Sequence, residues 1–148
     1  PQRALVLGAG GAAQAAVEAC RRLGLEVLVC ARSLERAAAA FPQATLVPWE
    51  KRASASAEVL VHATPIHGRL SPWRDACALR KRIVFDLAIG PQPSALLRQA
   101  QEEDCIALGP ELMWAEQGAE QLRLLLGLEL SPELLASQAH KALDARPA

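Results

Sequence analysis

A run of glycines and two arginines are the residues in this sequence whose types and spacing best suit chemistry. Gly8-Ala9-Gly10-Gly11-Ala12-Ala13 follows the apolar Leu5-Val6-Leu7 and leads into an alanine-rich stretch. The order is strand, tight turn and helix, and the spacing reads G-x-G-x-x-A. Gly8 permits the turn, Gly10 lets the backbone approach a pyrophosphate, and Ala13 lets the helix sit close to the strand. Gly11 and Ala12 open that helix, whose free N–H groups and positive dipole end suit phosphate. The next apolar run, Val29-Cys30-Ala31, ends at Arg32-Ser33, with Arg36 one helical turn further on. Proteins that bind NAD usually carry a carboxylate there, roughly 20 residues past the glycines, for the ribose 2′-OH. None stands here. Arg32 and Arg36 instead offer planar cations for a 2′-phosphate, and Ser33 adds a hydroxyl, so the expected cofactor is NADP. A phosphate loop of the ATP- and GTP-binding type needs a Gly-Lys pair, and the sequence has none.

Other chemistry is sparser. Ala63, Thr64 and Pro65 follow a predicted strand end, where loops meet ligands. His67 in the same loop reads as a surface histidine. Asp86 either orients groups at the ligand edge of a sheet or caps the loop that follows it. Cys20, Cys30, Cys77 and Cys105 form no C-x-x-C pair and show no metal-ligand spacing. Buried thiols in a reducing cytoplasm are the expectation. Sixteen basic residues balance sixteen acidic ones, which argues against a dedicated nucleic-acid binder or a polybasic membrane module. With 51% hydrophobic residues over 148 positions the chain can bury a core, and no apolar run approaches the ~20 residues of a membrane span.

The elements that must position these residues alternate. Strands are predicted at Ala4–Leu7, Glu26–Ala31, Ala44–Val47, Glu58–His62, Arg82–Leu87 and Cys105–Leu108, the third stopped by Pro48. Helices are predicted at Gly11–Leu23, Leu34–Phe41 with Ser33 as N-cap, Ser94–Glu103, Pro110–Leu126, and from Ser131 to about Leu143. Shorter helical pieces are expected over Trp49–Ala57, on the surface, and Ser71–Leu79. Strand–helix alternation gives an α/β fold: a Rossmann-type doubly wound parallel sheet of about six strands, helices on both faces. Ligand then belongs at the carboxyl ends of the strands. The expected organisation is one dinucleotide-binding domain over residues 1–148 with a C-terminal helical tail.

Several separated segments resemble one family in order. Beside the glycine turn, Ala31-Arg32-Ser33-Leu34-Glu35-Arg36-Ala37 resembles an Asn-Arg-Thr-x-x-Arg-Ala segment. His62-Ala63-Thr64-Pro65 resembles Asn-Ala/Thr-Thr-Pro, with Gly68 near the expected glycine. Val84-Phe85-Asp86-Leu87 followed by Pro91 resembles Val-x-Asp-x-x-Tyr-x-Pro. Gly109, Leu112-Met113 and Gln117-Gly118-Ala119 resemble a Gly-x-x-Met-Leu-x-x-Gln-x-Ala helix. The set spans about Ala4 to Gly127 and is similar to the C-terminal NADP-binding domain of shikimate dehydrogenases and their quinate/shikimate relatives.

That resemblance implies reversible hydride transfer between NADPH and the carbonyl of 3-dehydroshikimate, a step of aromatic amino-acid biosynthesis in the cytoplasm. It implies Gly109 and Met113 near the cofactor and Gln117 at the substrate. Met113, Gln117 and Leu124 share a helix face, so Gln117 is expected to be partly buried. The family's lysine–aspartate catalytic pair comes from an N-terminal substrate domain, expected to be absent here, so no catalytic residue is assigned. NADP binding without turnover is expected of this chain alone. The family's Tyr aligns with Ile89, and its two Asn positions are His62 and Ala31. These departures keep open a stand-alone, non-enzymatic NADP-sensing or interaction domain. Leu134, Leu135, Ala139 and Leu143 give the last helix an apolar face, so a homodimer is another expectation.

Overall fold

The structure is a computed structural model and describes residues 2–66, 70–73, 79, 82–89 and 93–144. The chain forms two compact units, Pro1–Leu108 and Gly109–Ala148.

The first unit is built on β1 (Arg3–Leu7), β2 (Glu26–Ala31), β3 (Thr45–Pro48), β4 (Val59–His62), β5 (Ile83–Asp86) and β6 (Ile106–Leu108). All five pairings are parallel, in the order β3-β2-β1-β4-β5-β6. Order reverses between β1 and β4, the crevice where open α/β sheets hold ligands. Side-chain alternation along β1 explains the continuous apolar run. Ala4 and Val6 join a cluster with Ala13, Val17 and Cys20 of α1 (Gly11–Arg22) and Ala37 of α2 (Leu34–Ala40). Leu5 and Leu7 point the other way, into a cluster with Trp73, Leu79, and Leu96 and Ala100 of α3 (Ala95–Glu102). Helices therefore cover both faces, as the sequence predicts.

Helix ends follow local chemistry. Gly24 follows α1 with a φ of 78°, a left-handed conformation that glycine accepts. Ser33 Oγ accepts the Arg36 N–H at 3.3 Å and caps α2. Ser94 does the same for α3 through the Leu97 N–H at 3.2 Å. One boundary is corrected: Pro48 does not stop β3 but is its last residue, opposite Ala31. On an edge strand, a residue without an N–H breaks no ladder when its donor side faces outward. The helical piece after it is a short 3₁₀ turn, Trp49–Ser54. Most of the piece expected over Ser71–Leu79 lies outside the described residues, as do Cys77, His67, Gly68 and Pro91.

The second unit contains α4 (Pro110–Leu126) and α5 (Pro132–Asp144). Pro110 takes the first turn of α4, and Gly127 ends it with a φ of 66°. The two helices approach where Gly118 meets the Leu135 side chain. Leu134 is exposed and Leu135 half-buried, while the side chains of Ala139 and Leu143 lie outside the described ones. Among the described residues no helix is long and apolar enough to cross a membrane.

Candidate functional site

The carboxyl ends of β1, β2 and β4 open into a cleft of about 610 Å³. Its floor is the glycine turn. Gly8 has a φ of 127°, and a Cβ there would lie 2.5 Å from the Ala63 carbonyl oxygen. Both facts require glycine at this position. Gly10 and Gly11 differ: a Cβ on either would meet nothing within 4 Å. Packing inside the protein therefore does not explain them, whereas a ligand lying against the backbone does. Ala13 is fully buried against β1, as close helix–strand packing demands. Gly10 is the N-cap of α1 and brings no side-chain cap, and the first turn holds no acidic residue. The leading N–H groups and the dipole of α1 therefore face the cleft without a competing carboxylate, the electrostatics of an anion site.

Arg32, Ser33 and Arg36 form one wall with Ala31, and Ala63, Thr64 and Pro65 form the opposite lip. The expected cofactor residues of the first unit thus converge; Gly11 and Ala12 adjoin them at the start of α1. Both arginines are exposed, and among the described residues neither is ion-paired with a carboxylate. Among the described residues no acidic side chain lines the cleft. The donor set, glycine backbone plus two free guanidiniums, fits a phosphorylated dinucleotide.

Two features of the site escape the sequence reading. Trp49 lines the cleft beside the arginines. Register explains its place: Pro48 pairs with Ala31, so Trp49 comes level with Arg32. The Arg52 guanidinium stacks on its ring at 4.8 Å and donates to the Trp49 carbonyl at 2.8 Å, fixing this wall.

The second is a buried polar chain at the ends of β4 and β5. His62 and Asp86 are opposite each other in register and essentially inaccessible to water. His62 Nδ1 lies 2.8 Å from Asp86 Oδ1, and Nε2 lies 2.6 Å from Thr64 Oγ1. The Ala88 N–H donates to Asp86 Oδ1 at 2.9 Å, and Ser94 Oγ donates to Oδ2 at 2.5 Å. Burial pushes the Asp86 carboxyl up, but hydrogen bonds from His62, Ser94 and Ala88 outweigh it and hold the group below the usual range. Of the two roles open to Asp86, the structure shows both: it caps the following loop through Ala88 and orients His62. The sequence puts each residue at the end of a predicted strand, but only the strand order makes those two strands neighbours. Cys30, by contrast, is buried with its thiol pushed up to about 12, chiefly by desolvation, and is chemically quiet.

In the second unit Gly109 is the N-cap of α4 and Met113 is half-buried. Gln117 is exposed, as is Leu124, so the partial burial expected for Gln117 is not found. The physical reason lies in α4 itself, which is only weakly amphipathic and buries just Pro110 and Ala115.

A parallel sheet in this order, with a glycine turn leading into a helix at its switch point, defines a Rossmann-type α/β fold. Comparison with known proteins is more specific. No protein-family model matches the chain. A shikimate dehydrogenase (NADP+) of Synechococcus sp. strain JA-3-3Ab is 37% identical over 151 aligned residues, covering 91% of this chain and 52% of that protein. A shikimate dehydrogenase (NADP+) of Thermus thermophilus is 39% identical over 147, covering 95% and 54%. The crystal structure of a shikimate 5-dehydrogenase from Thermus thermophilus, in complex with NADP(H) and shikimate, superposes with a TM-score of 0.81 at 34% identity, covering 96% of this chain and 56% of that one. The chain is a homologue of the shikimate dehydrogenases (NADP+), and it spans about half the length of the curated relatives it matches.

Proposed function

We propose that this chain is the coenzyme-binding, C-terminal part of a shikimate-dehydrogenase-like oxidoreductase and that its cleft binds NADP(H). The observation that carries the reading is the cleft itself: a glycine turn with no internal packing reason for Gly10 and Gly11, facing two exposed arginines that, among the described residues, have no ion-pair partner and share the cleft with no carboxylate. Backbone N–H groups of Gly10, Gly11 and Ala12 take the pyrophosphate, with Gly8 and Ala9 shaping the turn. Arg32, Ser33 and Arg36 take the 2′-phosphate. Ala31 and the Trp49 ring flank the adenine. Ala63, Thr64 and Pro65 lie by the nicotinamide ribose. Resemblance alone carries Gly109 and Met113 as coenzyme contacts and Gln117 as a substrate contact. Free thiols at Cys20, Cys30 and Cys105 support a reducing cytoplasm as the setting.

NADPH, when bound, supplies a hydride to the carbonyl carbon of 3-dehydroshikimate, and a proton to its oxygen completes shikimate. The family's lysine–aspartate pair has no counterpart assigned among these residues, so the chain by itself binds without turning over. Titration calorimetry with NADP+, followed by an assay for shikimate oxidation, tests this. Saturable binding with no NADPH formed is expected. Absence of binding overturns the cofactor assignment, and turnover overturns the division of labour.

A further inference from the structure

We infer that His62 is a positioning residue that sets the hydrogen-bonding polarity of the Thr64 hydroxyl at the cleft: with neutral His62, Thr64 presents an acceptor only. The inference rests on the dinucleotide reading of the cleft and names the kind of group the Thr64 lip takes, an N–H or O–H donor such as a ribose hydroxyl or a carboxamide.

Proton accounting carries it. Asp86 accepts from Ser94 Oγ and the Ala88 N–H, and its carboxyl is held ionised, so it has no proton to give. At 2.8 Å, His62 Nδ1 must therefore donate to it. A neutral imidazole carries one N–H, so Nε2 becomes an acceptor. Its neighbour at 2.6 Å is Thr64 Oγ1, which must donate. The single hydroxyl proton of Thr64 is then committed inward. Its remaining lone pairs face the weak 3.4 Å contact from the Ile66 N–H and the cleft that Thr64 lines. A second proton on His62 reverses this: Nε2–H donates to Thr64, freeing the hydroxyl proton to point outward.

Among the described residues, the elements packed against the imidazole contribute these groups. Asp86 on β5 faces Nδ1; β1 contributes Leu7 in register, and the start of α3 contributes uncharged Ser94. Arg32 and Arg36 line the same cleft as Thr64.

Two measurements test the inference. Nitrogen-15 NMR of the histidine-labelled, ligand-free chain is expected to show neutral His62 protonated at Nδ1 and bare at Nε2. The opposite tautomer overturns the inference, with no reference to cofactor. Second, NADP+ affinity is measured at neutral pH for the native chain and T64V, which keeps the shape of the side chain and removes the acceptor. T64V is expected to lose about three- to tenfold. Unchanged affinity in T64V overturns the inference. Failure of the native chain to bind NADP+ instead sinks the cofactor reading, leaving the tautomer result to decide this one.

Discussion

Replacing Arg32 with alanine is the perturbation that reaches furthest into the proposed cofactor selectivity. The side chain is exposed and has no ion-pair partner among the described residues, so its removal leaves nothing unsatisfied and costs the fold little. Exposure also caps what it contributes to binding. A pair of unit charges about 4 Å apart in water is worth about 1 kcal/mol. A phosphate carrying close to two charges roughly doubles that, and physiological salt takes part of it back. The expected loss is about 1.4 kcal/mol, or about tenfold in NADP+ affinity. NAD+, which lacks the phosphate, is expected to lose less than twofold. Arg36 lines the same wall one helical turn away, so R32A/R36A is expected to lose less than the product of the single losses. Calorimetry with both nucleotides at physiological salt, and again near 1 M where the Debye length is about 3 Å, gives the numbers. The NADP+ preference is expected to shrink at high salt. Equal losses for the two nucleotides, or a preference indifferent to salt, refute the assignment of these arginines to a 2′-phosphate.

Further outcomes follow from the same geometry. Gly8→Ala forces a Cβ into the Ala63 carbonyl at a φ of 127° and is expected to destabilise the chain by roughly 2 kcal/mol or more in urea unfolding. Gly10→Ala is expected to leave stability within about 1 kcal/mol while weakening NADP+ binding, since its Cβ points into open space. D86N removes the ionised acceptor of a buried chain and is expected to cost about 1–3 kcal/mol. The folded Asp86 carboxyl is held below the usual range, so its contribution is present above pH about 4 and is lost as pH falls through the lower folded value. Unfolding curves for native and D86N are therefore expected to differ by a constant amount near neutrality and to converge in acid. NADP+ is expected to quench Trp49 fluorescence, and W49F to abolish most of that change.

Local chemistry made much of the scaffold readable. Continuous apolar segments bounded by glycine, proline and cap residues located all six strands, and the span of β2 agrees with its prediction at both ends. That Gly8, Arg32, Ser33 and Arg36 line one cleft was legible because their placement depends on near neighbours: a turn, a strand end and one helical turn. Pro48 misled because sequence does not say which strand is an edge, and only edge position makes a proline tolerable there. Trp49 and the His62–Asp86 pair were missed for a related reason. Each owes its place to strand register, between residues 17 and 24 positions apart, that no local pattern encodes. The burial expected for Gln117 was misjudged differently: helical spacing places residues on one face but does not say whether anything covers it.

The most direct test is an amide NMR titration of this chain with NADP+. The largest shifts are expected at Gly10 through Ala13, Arg32 through Arg36, and Thr64, saturating together at one equivalent. Shifts confined to other surfaces, or a spectrum unchanged at saturating nucleotide, would contradict the account.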